Sequence, residues 1–238
     1  MPMSRRSSKN AANRAPAKNN ASVRGTSARR GSGAGKRARG GFGRQRQSYM
    51  PPERWYEPEE GSTRVRIVQQ SAGEGYRHVV TADEVRERLA ELPDWMTASL
   101  QVVQLSRMTR KKRTFPCYGM QWGNAIYLYP VEDDRVENFN TPPKPAQIVE
   151  ARMYGARWQQ SGSLWQLVWS EESLRDFYLN NILIHELGHI LDQRNTSYAD
   201  RERYAEWFAL EHGYKPSRQR AQLAQAAANL FCPPGSRR

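Results

Sequence analysis

Five consecutive residues, His185-Glu186-Leu187-Gly188-His189, hold the most specific chemical pattern in this 238-residue chain. On a helix, positions i and i+4 share a face about one turn apart, so both imidazoles can converge on one ion about 2 Å from each nitrogen. Glu186 adjoins the first histidine, and its carboxylate can lie beside such an ion without binding it, placed to accept a proton from an attacking water. The chain has four histidines in all. Two of them fall in this strongly apolar run, where an imidazole is costly to bury unless its nitrogens are satisfied. The implied cofactor is Zn2+.

A catalytic zinc takes three protein ligands and keeps one position open for water. His212 is the only later histidine, and it falls at the predicted end of a following helix. Carboxylates on that helix, Asp200 to Glu211, are better placed. Glu202 and Glu206 share a face with Ala205 and Ala209, small residues that let two helices approach closely. Trp207, Phe208 and Leu210 are expected to anchor the same helix in the core. If Glu202 is the ligand, Glu206 would orient a histidine N–H or pair on the surface. Asp192, one turn beyond His189, would either hold a ligand imidazole in its tautomer or end the helix. Tyr198, Tyr204 and His212 are candidate donors to a developing oxyanion.

These residues need two adjacent helices. Ser170 followed by Glu171 and Glu172 reads as a capped helix start, because acidic groups favour the positive helix end. The apolar run that follows, to Leu191, covers so much of the helix circumference that the helix is predicted to be central and buried. Asp192 to Asn195 breaks it, and Ser197 with Asp200 resembles a second cap. Gly213 stands where a left-handed C-cap is expected, and Pro216 and Ser217 open a third helix over residues 219–231. The short link between the first two helices predicts an antiparallel pair.

Upstream, Thr63 to Gln69 alternates as a strand does, and Tyr76 to Val80 is read as its hairpin partner across Gly73-Glu74-Gly75. Thr81 and Glu84 form a capping box before Val85, Leu89 and Leu92 at helical spacing. Leu100 to Leu105 reads as a strand. Arg107 to Arg113, with five positive charges, reads as a solvated loop or a contact surface for anions. Ala125 to Tyr129 reads as a short strand that ends at Pro130. Glu132 to Pro145 reads as a loop, and Ile148 to Tyr154 and Leu164 to Trp169 as further strands.

The charge is segregated. The chain carries 37 Lys and Arg against 24 Asp and Glu, a net charge of +13, yet residues 1–50 hold 13 of the basic residues and no acidic one. The remainder is formally neutral, so the basic pI describes the tail alone. Residues 1–48, rich in Arg, Gly and Ser, are predicted to be disordered. They offer non-specific, salt-sensitive contact with nucleic acid. The two cysteines, Cys117 and Cys232, are too few for a disulfide scaffold. No run approaches the ~20 apolar residues of a spanning helix, and the first thirty residues lack the apolar core of a secretory signal. No membrane association is expected, and a cytoplasmic location is.

The His185-Glu186-Leu187-Gly188-His189 helix followed by Glu202-x-x-Ala205-x-x-Phe208-Ala209 resembles the gluzincin metallopeptidases, and most the short minigluzincin forms that include the ImmA/IrrE-type proteins. That resemblance covers roughly residues 170–212. It implies His185, His189 and Glu202 as metal ligands and Glu186 as the general base, and it places Ala125 to Tyr129 as the edge strand beside a bound peptide, gripped by β-augmentation. Ile190-Leu191-Asp192 stands where many ImmA-type proteins have Leu-His. The implied fold is α+β, a zincin-like minimal metallopeptidase domain over residues 49–238. In it a small mixed sheet packs on the buried histidine helix and a second ligand-bearing helix. The implied activity is zinc-dependent hydrolysis of peptide bonds in a protein or peptide substrate. The alternative is a non-catalytic nucleic-acid-binding protein that works through its basic tail, with the body in a structural role. The sequence gives no oligomeric state.

Overall fold

The computed structural model describes residues 56, 64–114 and 117–231. The predicted tail, residues 1–48, lies outside the described residues. In chain order, β1 (Arg66–Gln69) and β2 (Tyr76–Arg77) precede α1 (Ala82–Ala90) and α2 (Asp94–Thr97). Then come β3 (Val102–Leu105), α3 (Arg110–Thr114), β4 (Gly119–Trp122), β5 (Ala125–Leu128), β6 (Val131–Glu132) and β7 (Val136–Phe139). Helix α4 (Pro145–Met153) leads into the hairpin of β8 (Arg157–Ser161) and β9 (Leu164–Val168). The C-terminal third is helical: α5 (Glu171–Phe177), a π-helical turn (Tyr178–Ile182), α6 (Leu183–Leu191), α7 (Tyr198–Ala209), a second π-helical turn (Leu210–Tyr214) and α8 (Lys215–Phe231).

The main sheet is mixed and runs β1-β3-β5-β4. Strands β1, β3 and β5 are parallel, and β4 turns back antiparallel along β5 with Gly119 opposite Leu128 and Trp122 opposite Ala125. Strands β3 and β5 are buried along their whole length, as strands covered on both faces must be. One face of this sheet packs on α6. The core there joins Val103, Leu105, Ile126 and Leu128 to Phe177, Leu183, Ile184, Leu187 and Phe208. Each such side chain, fully buried, contributes about 1.5–3 kcal/mol. The result is the predicted α+β architecture: a small mixed sheet against the histidine helix, with the Glu202 helix beside it.

Several local expectations hold. Thr81 caps α1 through a complete capping box. Ser170 caps α5, and the Ser197 hydroxyl accepts the Asp200 backbone N–H at the start of α7.

Others are corrected. Tyr76–Arg77 pairs antiparallel with β6 and not with β1, so the turn at Gly73 to Gly75 redirects the chain without closing a hairpin. The expected loop from Glu132 contains β7, which joins β9 and β8 in a second sheet. Residues 148–154 form most of a helix and not a strand. Pro145 sits in its first turn, where the missing N–H costs nothing, and Gln147 Oε1 accepts the Lys144 N–H at 2.7 Å. Strand Arg157–Ser161 shows no apolar alternation, because all its residues but Trp158 are polar and exposed. Gly162, with φ of +60°, supplies the turn into β9. Within the expected loop at 107–113 lies the short helix α3. Its Lys112 is buried, with the ammonium 4.2 Å from the centre of the Tyr129 ring.

Two helical runs, residues 171–191 and 198–231, are each interrupted once by a π-helical turn. Each π-helical turn adds one residue and rotates the following helix by about 100° relative to the preceding one. The expectation of a central, buried helix holds: Leu183 to His189 are buried without a break, on every face of α6. The two turns pack against each other. A Cβ on Gly213 would lie 2.9 Å from the carbonyl carbon of Asn180. Gly213 is absent from the residues with positive φ, so glycine is there for close approach and not, as expected, for a left-handed cap.

Candidate metal centre

Helix α6 places His185 and His189 one turn apart on the face toward α7. Their Nε2 atoms are 3.2 Å apart, with ring planes at 85°. Glu202, in the second turn of α7, brings Oε1 to 3.4 Å from His189 Nε2 and Oε2 to 3.7 Å from His185 Nε2. All three donor atoms lie within 4.8 Å of one another, and they form the one such group of three among the described residues. Both histidines are buried, and Glu202 is 15% exposed.

Donors held about 2.0–2.1 Å from a tetrahedral ion lie roughly 3.3–3.4 Å apart. The observed separations of 3.2 to 3.7 Å are geometrically compatible with a site for one divalent cation, and two imidazoles with one carboxylate are a donor set that zinc accepts. The arrangement matches the His-Glu-x-x-His plus Glu pattern of the gluzincin type.

Small residues make this approach possible, as expected. A Cβ on Gly188 would sit 3.1 Å from the Cα of Ala205, so α6 and α7 touch backbone to backbone at this level. Ala205 and Ala209 are fully buried in the contact. The Arg201 guanidinium ties the helices from above, donating to His189 O at 3.0 Å and to Asp192 O at 3.4 Å.

Glu186 is 1% exposed and faces the sheet. A Cβ on Gly119 would lie 2.9 Å from its Oε1, so the carboxylate rests against the start of β4. Strand β4 is one edge of the main sheet, and β1 is the other. Ala125 to Tyr129, expected at an edge, instead lies inside the sheet as β5, between β3 and β4. Gly119 to Trp122 carries no strand signal of its own, because glycine and glutamine dilute the alternation.

The remaining candidates are distributed as follows. Glu206 is half-buried and outside the donor group. Asp192 ends the helix: its Oδ1 accepts the Asn195 N–H at 3.1 Å and the Asn195 Nδ2–H at 3.0 Å. Its Oδ2 is buried without a hydrogen-bond partner. Tyr198 opens α7. Tyr204 packs on Trp207 and Phe208, and His212 stacks on Phe208 with ring centroids 4.5 Å apart. Phe208 is buried as expected, but Trp207 is 50% exposed and Leu210 also reaches the surface.

Sequence inspection missed the polar network beneath the site. Arg88, on the apolar stripe of α1, is buried and donates to Asn180 Oδ1 at 2.8 Å and to His212 O at 2.9 Å. Asn181 donates to the buried Glu150 at 3.0 Å, and the Tyr178 hydroxyl to Tyr129 O at 2.7 Å. Together these bonds fix the π-helical turn that sets the rotation of α6. A basic residue between Val85 and Leu89 was the available signal.

Burial lowers the pKa of His212 below its ordinary 6.5, against the opposing influence of Glu211. The unfolded chain therefore takes up this proton at a higher pH than the folded one. The stability contributed is fully present above about 6.5 and is lost as pH falls through the folded value. Thermal melts of the wild type should thus fall more steeply between pH 7 and 5 than those of His212→Asn. Parallel slopes would remove His212 as a contributor to acid lability.

No family model, curated protein or solved structure matches the chain. Among the described residues, no helix is long and apolar enough to cross a membrane.

Proposed function

We propose that the protein is a zinc-dependent peptidase of the minigluzincin type, with residues 49–238 as the catalytic unit and the basic residues 1–48 as an appended tail. The observation that carries this reading is the convergence of His185 Nε2, His189 Nε2 and a Glu202 carboxylate oxygen within 4.8 Å, next to a buried glutamate that is not part of the group. When bound, zinc acidifies a water and polarises a carbonyl. His185, His189 and Glu202 hold the ion, and the small residues between α6 and α7 keep the carboxylate within reach. Glu186 accepts the proton of the attacking water and hands it to the departing amine. Strand β4, last in the main sheet and against Glu186, aligns an extended polypeptide by backbone hydrogen bonds. The substrate is a protein or peptide, and the setting is the cytoplasm.

Metal analysis of the purified full-length chain tests the ligand set. One zinc per chain is expected in the wild type and in Glu206→Ala. Glu202→Ala should lose it, with affinity lower by more than the roughly 10–100-fold typical of a residue that only orients a ligand. Stoichiometric zinc in Glu202→Ala, or none in the wild type, would sink this assignment.

A further inference from the structure

Two of the most exposed large apolar side chains in the described structure stand on one imidazole. Trp95, from α2, is 58% exposed, and Trp207, from α7, is 50% exposed. Both indoles meet the His212 ring edge-to-face at 87°, with centroids 6.3 and 5.8 Å away. Leu210, at 36% exposed, lies one helical turn beyond Trp207. Half-exposed tryptophans grouped this way mark interaction surfaces, where they are among the residues that carry most binding energy.

The chemistry of the partner can be read from the charges around the rings. Elsewhere in the protein, cations sit over aromatic faces: Arg66 over Tyr56, Lys112 over Tyr129, Arg113 over Tyr76 and Arg218 over Tyr214. Among the described residues none sits over Trp95 or Trp207, although indole is the best ring for that contact. The basic residues nearby in sequence are engaged elsewhere, Arg220 with Glu91, Lys215 with Glu211 and Arg203 with Asp200. Asp94, next to Trp95, is exposed and forms no ion pair among the described residues. Among the described residues, the surface therefore presents two half-exposed indoles with no cation over them and one carboxylate, Asp94, without an ion pair.

We propose that the Trp95–His212–Trp207 corner is a docking site for a cationic side chain, arginine above all, of a partner polypeptide. The guanidinium lies against the indole faces with Asp94 as its counter-ion, and Leu210 covers the aliphatic stem. This inference goes beyond the metal centre and does not depend on peptide hydrolysis.

The test is a titration of the full-length protein with acetyl-Gly-Arg-Gly-amide and with the same peptide carrying citrulline, the neutral isostere of arginine. The indole N–H resonances of Trp95 and Trp207 are followed by NMR. The arginine peptide is expected to shift both resonances saturably, and the citrulline peptide to bind about fivefold more weakly or worse. Trp95→Leu and Trp207→Leu preserve apolar bulk while removing one π face, and each should weaken the arginine peptide by about fivefold. Equal binding of the two peptides would show an apolar patch without charge preference and overturn the proposal. So would the lack of any saturable shift, or unchanged affinity in both leucine variants. The readout is binding, so a chain that holds no zinc and cleaves nothing would still give a clear answer.

Discussion

Glu186→Gln is expected to bind one zinc per chain as the wild type does and to hydrolyse peptides about 10²–10⁴-fold more slowly, the usual contribution of a positioned general base. The substitution keeps the size and shape of a side chain that is 1% exposed and rests against Gly119, so the helix and its histidines should stay in place. What is lost is the ability to accept a proton. Glu186 is not in the group of three donor atoms, which is why metal content and rate should separate. The rate can be measured without knowing the natural substrate, by mass spectrometry of a peptide library incubated with each protein. A Gln variant with the wild-type rate would remove Glu186 as the base. A variant that lost both zinc and activity would make Glu186 part of the metal site instead.

Gly213→Ala should be the most damaging single-methyl change in the described structure. The added Cβ would be driven into the backbone carbonyl of Asn180, with 3.3 Å left to Ile184 Cγ1. A backbone group cannot rotate away as a side chain would, so the two π-helical turns must separate. Overpacking of this kind costs about 3 kcal/mol or more. For a body of this size that corresponds to a fall in Tm of roughly 6–12 °C. Because Asn180 also receives Arg88 and leads directly into α6, the same change should disturb the rotation of His185 and His189. Thermal melts of the two proteins side by side decide the matter. A Tm within a degree or two of wild type would mean that the turns pack more loosely than the structure shows.

Glu186 and Gly213 also differ in how they could be read from the sequence. The histidine motif is local: i and i+4 on a helix share a face whatever surrounds them, and Glu186 follows from its position in the motif. Gly213 is defined by a contact with Asn180, thirty-three residues away in the chain, and local pattern suggested a helix end. The same division explains the strand errors. Ile148 to Tyr154 has β-branched residues but follows Pro145 and Gln147, which stand at the positions that start a helix, and that start prevailed with Glu150 meeting Asn181 inside. Trp207 was expected inside because it is large and apolar. The rotation of α7 that points Glu202 at the histidines turns Trp207 outward.

The sequence by itself therefore determined the elements whose information is carried within a turn or two of chain. These are the histidine pair on one helical face, the caps at Thr81, Ser170 and Ser197, the small residues facing α6, and the segregated basic tail. Only the tertiary structure decided which carboxylate stands with the histidines, which strand forms the sheet edge, and how far α6 is rotated. Those depend on pairing and packing between segments far apart in the chain. Glu202 and Glu206 are equivalent in local pattern, and β4 and β5 differ chiefly in which neighbour each one finds. The buried network of Arg88, Asn180 and the facing π-helical turns fixes the rotation of α6, and no local periodicity encodes it.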